Sequence, residues 1–380
     1  MNPYQNLPQS SFWRPAVSDR SLFAIENLWS PKFPISGTAP VVTFGSCFAQ
    51  HVGRALRDRG LNWHITETNP PGMAPETRKL FNYGVFSART GNIYTTSLLR
   101  QWTSWALGTA VPPDECWESE SGVFDPFRPA VEPGGFESRE EVFASRAASI
   151  AAFKAAIVEA EVFVFTMGLT ESWVNLQEGY EYPMCPGTVA GEYDATRHGF
   201  RNQDFATIHG NLTAVIKAMR GVNKNLKFIL TVSPVPLTAT NSGDHVLVAT
   251  SYSKCVLRAV AGQIAGEFDF VDYFPSFEII TSPVFRGIFF EPNMRSVTPS
   301  GVDFVMNHFF TAHETKFGPI ELPASAIKLL RRRAQELEAR RFVRADGDVP
   351  RGKATGRAGN NVASGDVCEE ELLAAFGGEA

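Results

Sequence analysis

Apolar and polar positions change period within one stretch of the chain. Val41, Val42 and Phe44 form a short apolar run rich in β-branched residues, the pattern of a buried strand. After Ser46 the apolar residues Phe48, Val52, Ala55 and Leu56 recur at helical spacing, and the switch falls on Gly45-Ser46-Cys47. The spacing predicts a strand that leaves the core, turns sharply at Gly45 and passes at once into a helix. Ser46 then sits where a strand ends and a helix begins, near orphan backbone N–H groups and the positive end of the helix dipole. That location suits an attacking hydroxyl beside a developing oxyanion. It equally suits a serine that only caps the helix.

Further apolar runs begin near residues 61, 162, 227 and 268, and helical periods lie between them at 138–160, 209–219 and 249–265. Strands alternating with helices predict an α/β fold whose parallel sheet, of about five strands, is covered on both faces. Ligands of such sheets bind beyond the carboxyl ends of the strands, and Ser46, Thr170 and Ser233 all leave strands at that edge. Residues 1–39 carry Trp13, Trp29 and several Phe, and read as an ordered arm packed on a main domain at 40–317. Segments 107–136 and 175–202 read as surface insertions, the second containing His198 and Arg201. Residues 318–344 form a basic helix with Arg331, Arg332 and Arg333, read as a solvated face. Residues 345–380 read as mostly disordered, since 345–366 lacks apolar groups to offset ordering entropy, while Cys368 to Phe376 reads as a short amphipathic helix that docks on a partner.

Composition narrows the class. With 380 residues, 44% of them apolar and 20% charged, the chain is ordinary globular protein with a sizeable core. A net charge of −5 leaves no electrostatic footprint for nucleic acid. Five cysteines without a C-x-x-C pair suggest neither a disulfide framework nor a zinc site, and no metal or other cofactor is expected. No run approaches the roughly 20 apolar residues of a membrane span, and the first residues have no leader pattern. The expected location is a bacterial-type cytoplasm.

Gly45-Ser46-Cys47-Phe48-Ala49 spells the signature of the GSCFA domain family, and the chain resembles that family over about residues 2–313. GSCFA proteins in turn resemble the SGNH/GDSL hydrolases, which implies a flavodoxin-like three-layer sandwich and Ser46 as nucleophile. In such enzymes a glycine of the second block lends a backbone N–H to the oxyanion hole. Gly84 is the choice here over Gly91. The third block, G-x-N-D after a central strand, corresponds to Gly168-Leu169-Thr170-Glu171. Thr170 takes the place of the oxyanion-binding Asn with one donor instead of two, and Glu171 is placed to orient a histidine. The implied oxyanion donors are thus Ser46, Gly84 and Thr170.

The final D-x-x-H block departs from the pattern, because Asn293 and Ser296 stand where the acid and the histidine belong, and neither is a base near neutral pH. His245, in the polar loop that leaves the fourth strand, is the candidate for a relocated base. His308 and His313 lie on a helix at 302–310 or beyond it. His51 is more than a helical turn from Ser46. Cys47 as nucleophile is the weaker option, since its side chain is expected to point away into the helix. The expected function is a serine esterase or acyl-transfer enzyme with catalytic Ser46, His245 and Glu171, acting on a small-molecule or glycan ester. The alternative is a carbohydrate- or ligand-binding protein that has lost its base.

Overall fold

The computed structural model describes residues 2–345 and 368–377; the segment 346–367, which composition reads as disordered, lies outside the described residues. In chain order the strands are β1 (Val41–Gly45), β2 (Trp117–Ser119), β3 (Gly122–Phe124), β4 (Val162–Met167), β5 (Glu171–Asn175), β6 (Glu181–Tyr182), β7 (His198–Asn202), β8 (Lys227–Val232) and β9 (Val271–Tyr273). The helices are α1 (Ala49–Asp58), α2 (Pro75–Leu80), α3 (Thr96–Ala106), α4 (Arg139–Glu159), α5 (Phe205–Val222), α6 (Val246–Glu267), α7 (Ser276–Thr281), α8 (Pro299–Phe317) and α9 (Ala324–Ala345).

The central sheet is parallel in the order β1-β4-β8-β9, with Val41 opposite Val162 and Val162 opposite Lys227. The run near residue 61 is reduced to one parallel bridge between Val41 and Trp63, closed by Val41 N–H to Asn62 O (3.0 Å) and His64 N–H to Val41 O (2.8 Å). Trp63 spends its indole N–H on the Thr43 hydroxyl, and His64 turns out to Glu159. The segment therefore leaves the sheet edge after one pair. Counting it, the spatial order is that of a flavodoxin-like sheet, and the direction of strand order reverses between β1 and β4.

Alternate residues of these buried strands feed two separate cores. Val42, Phe44, Phe163, Phe165, Phe228 and Leu230 face α3 to α6. Val41, Val162, Val164 and Ile229 face α1, α7 and α8. The three layers follow directly, each buried Phe or Leu contributing about 1.5–3 kcal/mol. The N-terminal arm lies on the second face: Trp29 stacks on Phe309 with centroids 5.0 Å apart and meets Phe274 edge-on. Trp13 stays exposed on the surface. The Ser138 hydroxyl caps α4 by accepting the Glu141 N–H.

The 107–136 insertion lies on the surface in its first half, with Val111 exposed, but is buried from Phe124 to Pro129. Phe127 and Arg128 are wholly buried, and the Asp125 carboxylate between them takes Arg128 Nε at 2.8 Å and Arg146 Nη2 at 2.9 Å. Two guanidiniums need a carboxylate this deep, because an isolated buried charge costs several kcal/mol. The 175–202 insertion folds as an antiparallel sheet in the order β6-β5-β7. His198 within it is buried: its Nδ1 accepts the Asp194 N–H, and its ring lies against Tyr182 and Tyr193.

In the same sheet Glu181 is buried under the hydroxyls of Thr95 and Ser97, both of which donate to it. Burial pushes its carboxyl up to about 7, only partly opposed by those hydroxyls and by Arg201. A raised acid stabilises the fold fully below the ordinary carboxyl range and progressively less as pH climbs through its folded value. Glu181→Gln is therefore expected to be more stable than the parent at pH 8 by about 2–3 kcal/mol and equal to it near pH 4.5. Urea melts at the two pH values check this, and a difference that does not change with pH would refute it.

Candidate active site

The direction of strand order reverses between β1 and β4, and Ser46, buried, follows β1 directly at that carboxyl edge of the sheet. Gly45 ends β1 with φ near +133°, and a Cβ there would lie 2.2 Å from Thr166 O. Only glycine both adopts that backbone and clears the neighbouring strand. The Ser46 N–H continues the β1–β4 ladder by donating to Thr166 O at 2.9 Å. α1 begins at Ala49, and its cap residue Phe48 contributes no side-chain hydrogen bond. Ser46 is thus not the cap that spacing allowed. Its Oγ is buried and has no hydrogen-bond partner among the described residues.

Two other segments wall the hydroxyl. Gly168, just past β4, comes so close that a Cβ on it would lie 3.0 Å from Ser46 Cβ and 3.0 Å from the Tyr94 ring. Its carbonyl accepts Lys254 Nζ at 2.7 Å, and Lys254, on α6, is only 2% exposed. The second wall is the segment from Gly91 to Tyr94. Ile93 N–H donates to Gly45 O at 2.9 Å, while Tyr94 O accepts Gly168 N–H at 2.8 Å and Leu169 N–H at 3.2 Å. Asn92, 1% exposed, is held between these anchors. Beside the walls lies a cavity of about 520 Å³ with Tyr94, Leu169, Glu171, Trp173, Tyr193 and Leu237 among its lining residues.

The remaining expected site residues are dispersed. Gly84 is exposed in a turn. Gly91, not Gly84, is the glycine that adjoins the segment anchored at Ile93 and Tyr94. The Ser46 N–H is spent on Thr166. The Thr170 hydroxyl donates to Asn202 Oδ1 at 2.6 Å, and its N–H goes to Ser253 Oγ. All three expected oxyanion donors are therefore displaced, two of them because the sheet and its neighbours already use the groups. Glu171 does line the cavity, where Thr240 donates to it at 2.6 Å.

His245 is exposed at the cap of α6, with Nδ1 accepting the Leu247 N–H at 3.2 Å. It does not meet Ser46. His51 contacts Arg54 and Phe48, His308 packs on Phe304, and His313 accepts the Ile35 N–H. Asn293 donates to Ser296 Oγ at 3.0 Å on the surface. Cys47 is buried as a free thiol. Sequence reasoning passed over Asn92 and Lys254; an Asn directly before the apolar pair Ile93-Tyr94 was the available signal for the first.

Among the described residues no three His, Cys, Asp or Glu side chains are grouped to hold a metal ion, and no helix is long and apolar enough to cross a membrane. No curated protein and no solved structure matches this chain. The model of the GSCFA family matches residues 40–309, which span the sheet, both walls of the cleft and most of α8, and the chain belongs to the GSCFA family.

Proposed function

We propose that the protein is a serine-dependent esterase or acyl-transfer enzyme acting on an acylated carbohydrate. The observation that carries the reading is the Ser46 hydroxyl, buried at the switch point of the sheet and committed to no partner among the described residues. Ser46 Oγ attacks the acyl carbon, the alcohol leaves, and water or an acceptor hydroxyl then takes the acyl group from the serine. Donors at Gly91 and Asn92 face the oxyanion. The aromatic and aliphatic cavity receives the acyl chain or a sugar face, and the carbohydrate itself is inferred from the resemblance to SGNH enzymes.

Two groups compete for the role of base. Lys254 is anchored on the carbonyl of the glycine that touches Ser46, and lysine serves as base to serine in several unrelated enzymes. His245 reaches the cleft only if the 236–245 loop moves, and Thr240 of that loop already ties it to Glu171. We assign the proton to Lys254. Lys254→Met is expected to lower kcat/KM on ester substrates by about a hundredfold or more, whereas His245→Ala stays within about threefold. The reverse pattern would return the role to His245 and a closing loop. Melting curves of both variants separate this from loss of fold.

A second reading, a binding protein without turnover, is favoured by one observation: Asn293 and Ser296 pair with each other where an acid and a histidine are expected. Ligand binding that leaves Ser46 inert to a fluorophosphonate would establish it.

A further inference from the structure

The end of the chain meets the surroundings of Ser46. The short 3₁₀ segment Glu369–Phe376 lies against Gly91, Arg295 and the edge of the cavity, far in sequence from each. Glu369 is 2% exposed, and its Oε1 lies 3.1 Å from where a Cβ on Gly91 would be. Its carboxyl faces the Asn92 side chain and backbone N–H, yet closes no regular hydrogen bond. On one side Arg295 reaches Glu371 at 3.4 Å and the Cys368 Sγ at 3.9 Å while also holding Pro236 O. On the other side Leu373 and Phe376 rim the large cavity next to Ser46.

This is a poor arrangement for a structural element. Among the described residues none beyond Leu322 belongs to any of the three hydrophobic clusters. A carboxyl buried without an ion pair is a cost to a packing segment. The donors it faces on Asn92 are polar groups that the oxygen of a bound ligand can use. We propose that Glu369–Phe376 is an intramolecular occupant of the Ser46 cleft, seated where an acidic, amphipathic ligand binds, so that the full chain keeps its own site closed. The acidic head faces the Asn92 donors beside Gly91, Arg295 fixes the segment, and Leu373 and Phe376 lie at the cavity. The inference concerns the same cleft as the proposed reaction and does not require Ser46 to be a nucleophile.

A tethered occupant acts at an effective concentration on the order of millimolar. If the free segment binds with a Kd of about 0.1 mM, tethering suppresses access by about tenfold. The test uses a fluorescein-labelled peptide of residues 368–377, added to the full chain and to a chain ending at Ala345. The shortened chain keeps every hydrophobic cluster. Saturable binding to the shortened chain, at least about tenfold weaker to the full chain, is expected. A full chain carrying Glu369→Lys should bind the peptide as the shortened chain does. Absence of binding to the shortened chain, or equal binding to both parent forms, would overturn the proposal.

Fluorophosphonate labelling of Ser46 adds an independent reading. Labelling is expected to quicken about tenfold on truncation. Slower labelling of the truncated chain would instead make the segment part of the chemistry and overturn the plug. If neither form is labelled, the esterase reading fails while the peptide titration still decides this one.

Discussion

Ser46→Ala is expected to abolish labelling by a fluorophosphonate and to lower kcat/KM on ester substrates by at least about a thousandfold. The size follows from the position of the hydroxyl. Covalent catalysis through Ser46 cannot be taken over by its neighbour Cys47, which is buried in the turn leading into α1. The substitution removes only a hydroxyl that has no hydrogen-bond partner among the described residues, so the melting temperature should stay within a few degrees of the parent. Activity retained by the alanine variant would end the nucleophile assignment. A large loss of stability would mean that Ser46 is structural, and peptide mapping of the labelled protein would then show the probe elsewhere. The measurement belongs on the chain ending at Ala345 as well as the full chain, since the C-terminal segment restricts access to the same atom.

Asp125→Ala is expected to destabilise the fold by about 3–5 kcal/mol, because it leaves the buried Arg128 and Arg146 guanidiniums without their shared carboxylate. Arg128 keeps Ser149 Oγ at 2.6 Å and Arg89 O at 3.3 Å, but neither carries charge to offset the guanidinium. Burial alone would raise the Asp125 carboxyl, and the two guanidiniums outweigh it, holding the group below its ordinary 3.8. The sign is that of a depressed acid: the stabilisation is complete above the ordinary value and disappears as pH falls through the folded one. Asp125→Ala should thus show a flatter acid limb than the parent as well as a lower urea midpoint at pH 7. An unfolding free energy within about 1 kcal/mol of the parent would show that the insertion is not anchored by this cluster.

Elements that depend only on neighbours along the chain were legible before any tertiary contact was known. The period switch at Gly45-Ser46 placed a strand end and a helix start correctly, because a buried strand and an amphipathic helix each impose their own spacing locally. The Ser138 cap of α4 and the apolar runs of β4 and β8 were legible for the same reason. The family signature rested on five consecutive residues.

What lay beyond the sequence was which distant groups meet. Gly84 and Gly91 are both glycines in a loop with positive φ, and only the hydrogen bond from Ile93 to Gly45 decides that the second one borders the cleft. Thr170 looked available until Asn202 and Ser253, from β7 and α6, claimed its hydroxyl and its N–H. Lys254 looked like one more helical charge. Its burial against Gly168 follows from how α6 docks on the sheet, and a single helix does not specify that. The 107–136 segment has the composition of a surface loop, yet its Asp125 pairs with Arg128 and with Arg146 of α4 inside the protein. Burial of charge depends on a partner, and that partner here comes from another helix. The C-terminal segment is the clearest case. Its amphipathic pattern predicts a helix docked on a partner, whereas the tertiary structure holds it as a 3₁₀ segment against Gly91 and Arg295 of the same chain, groups that no local pattern brings together.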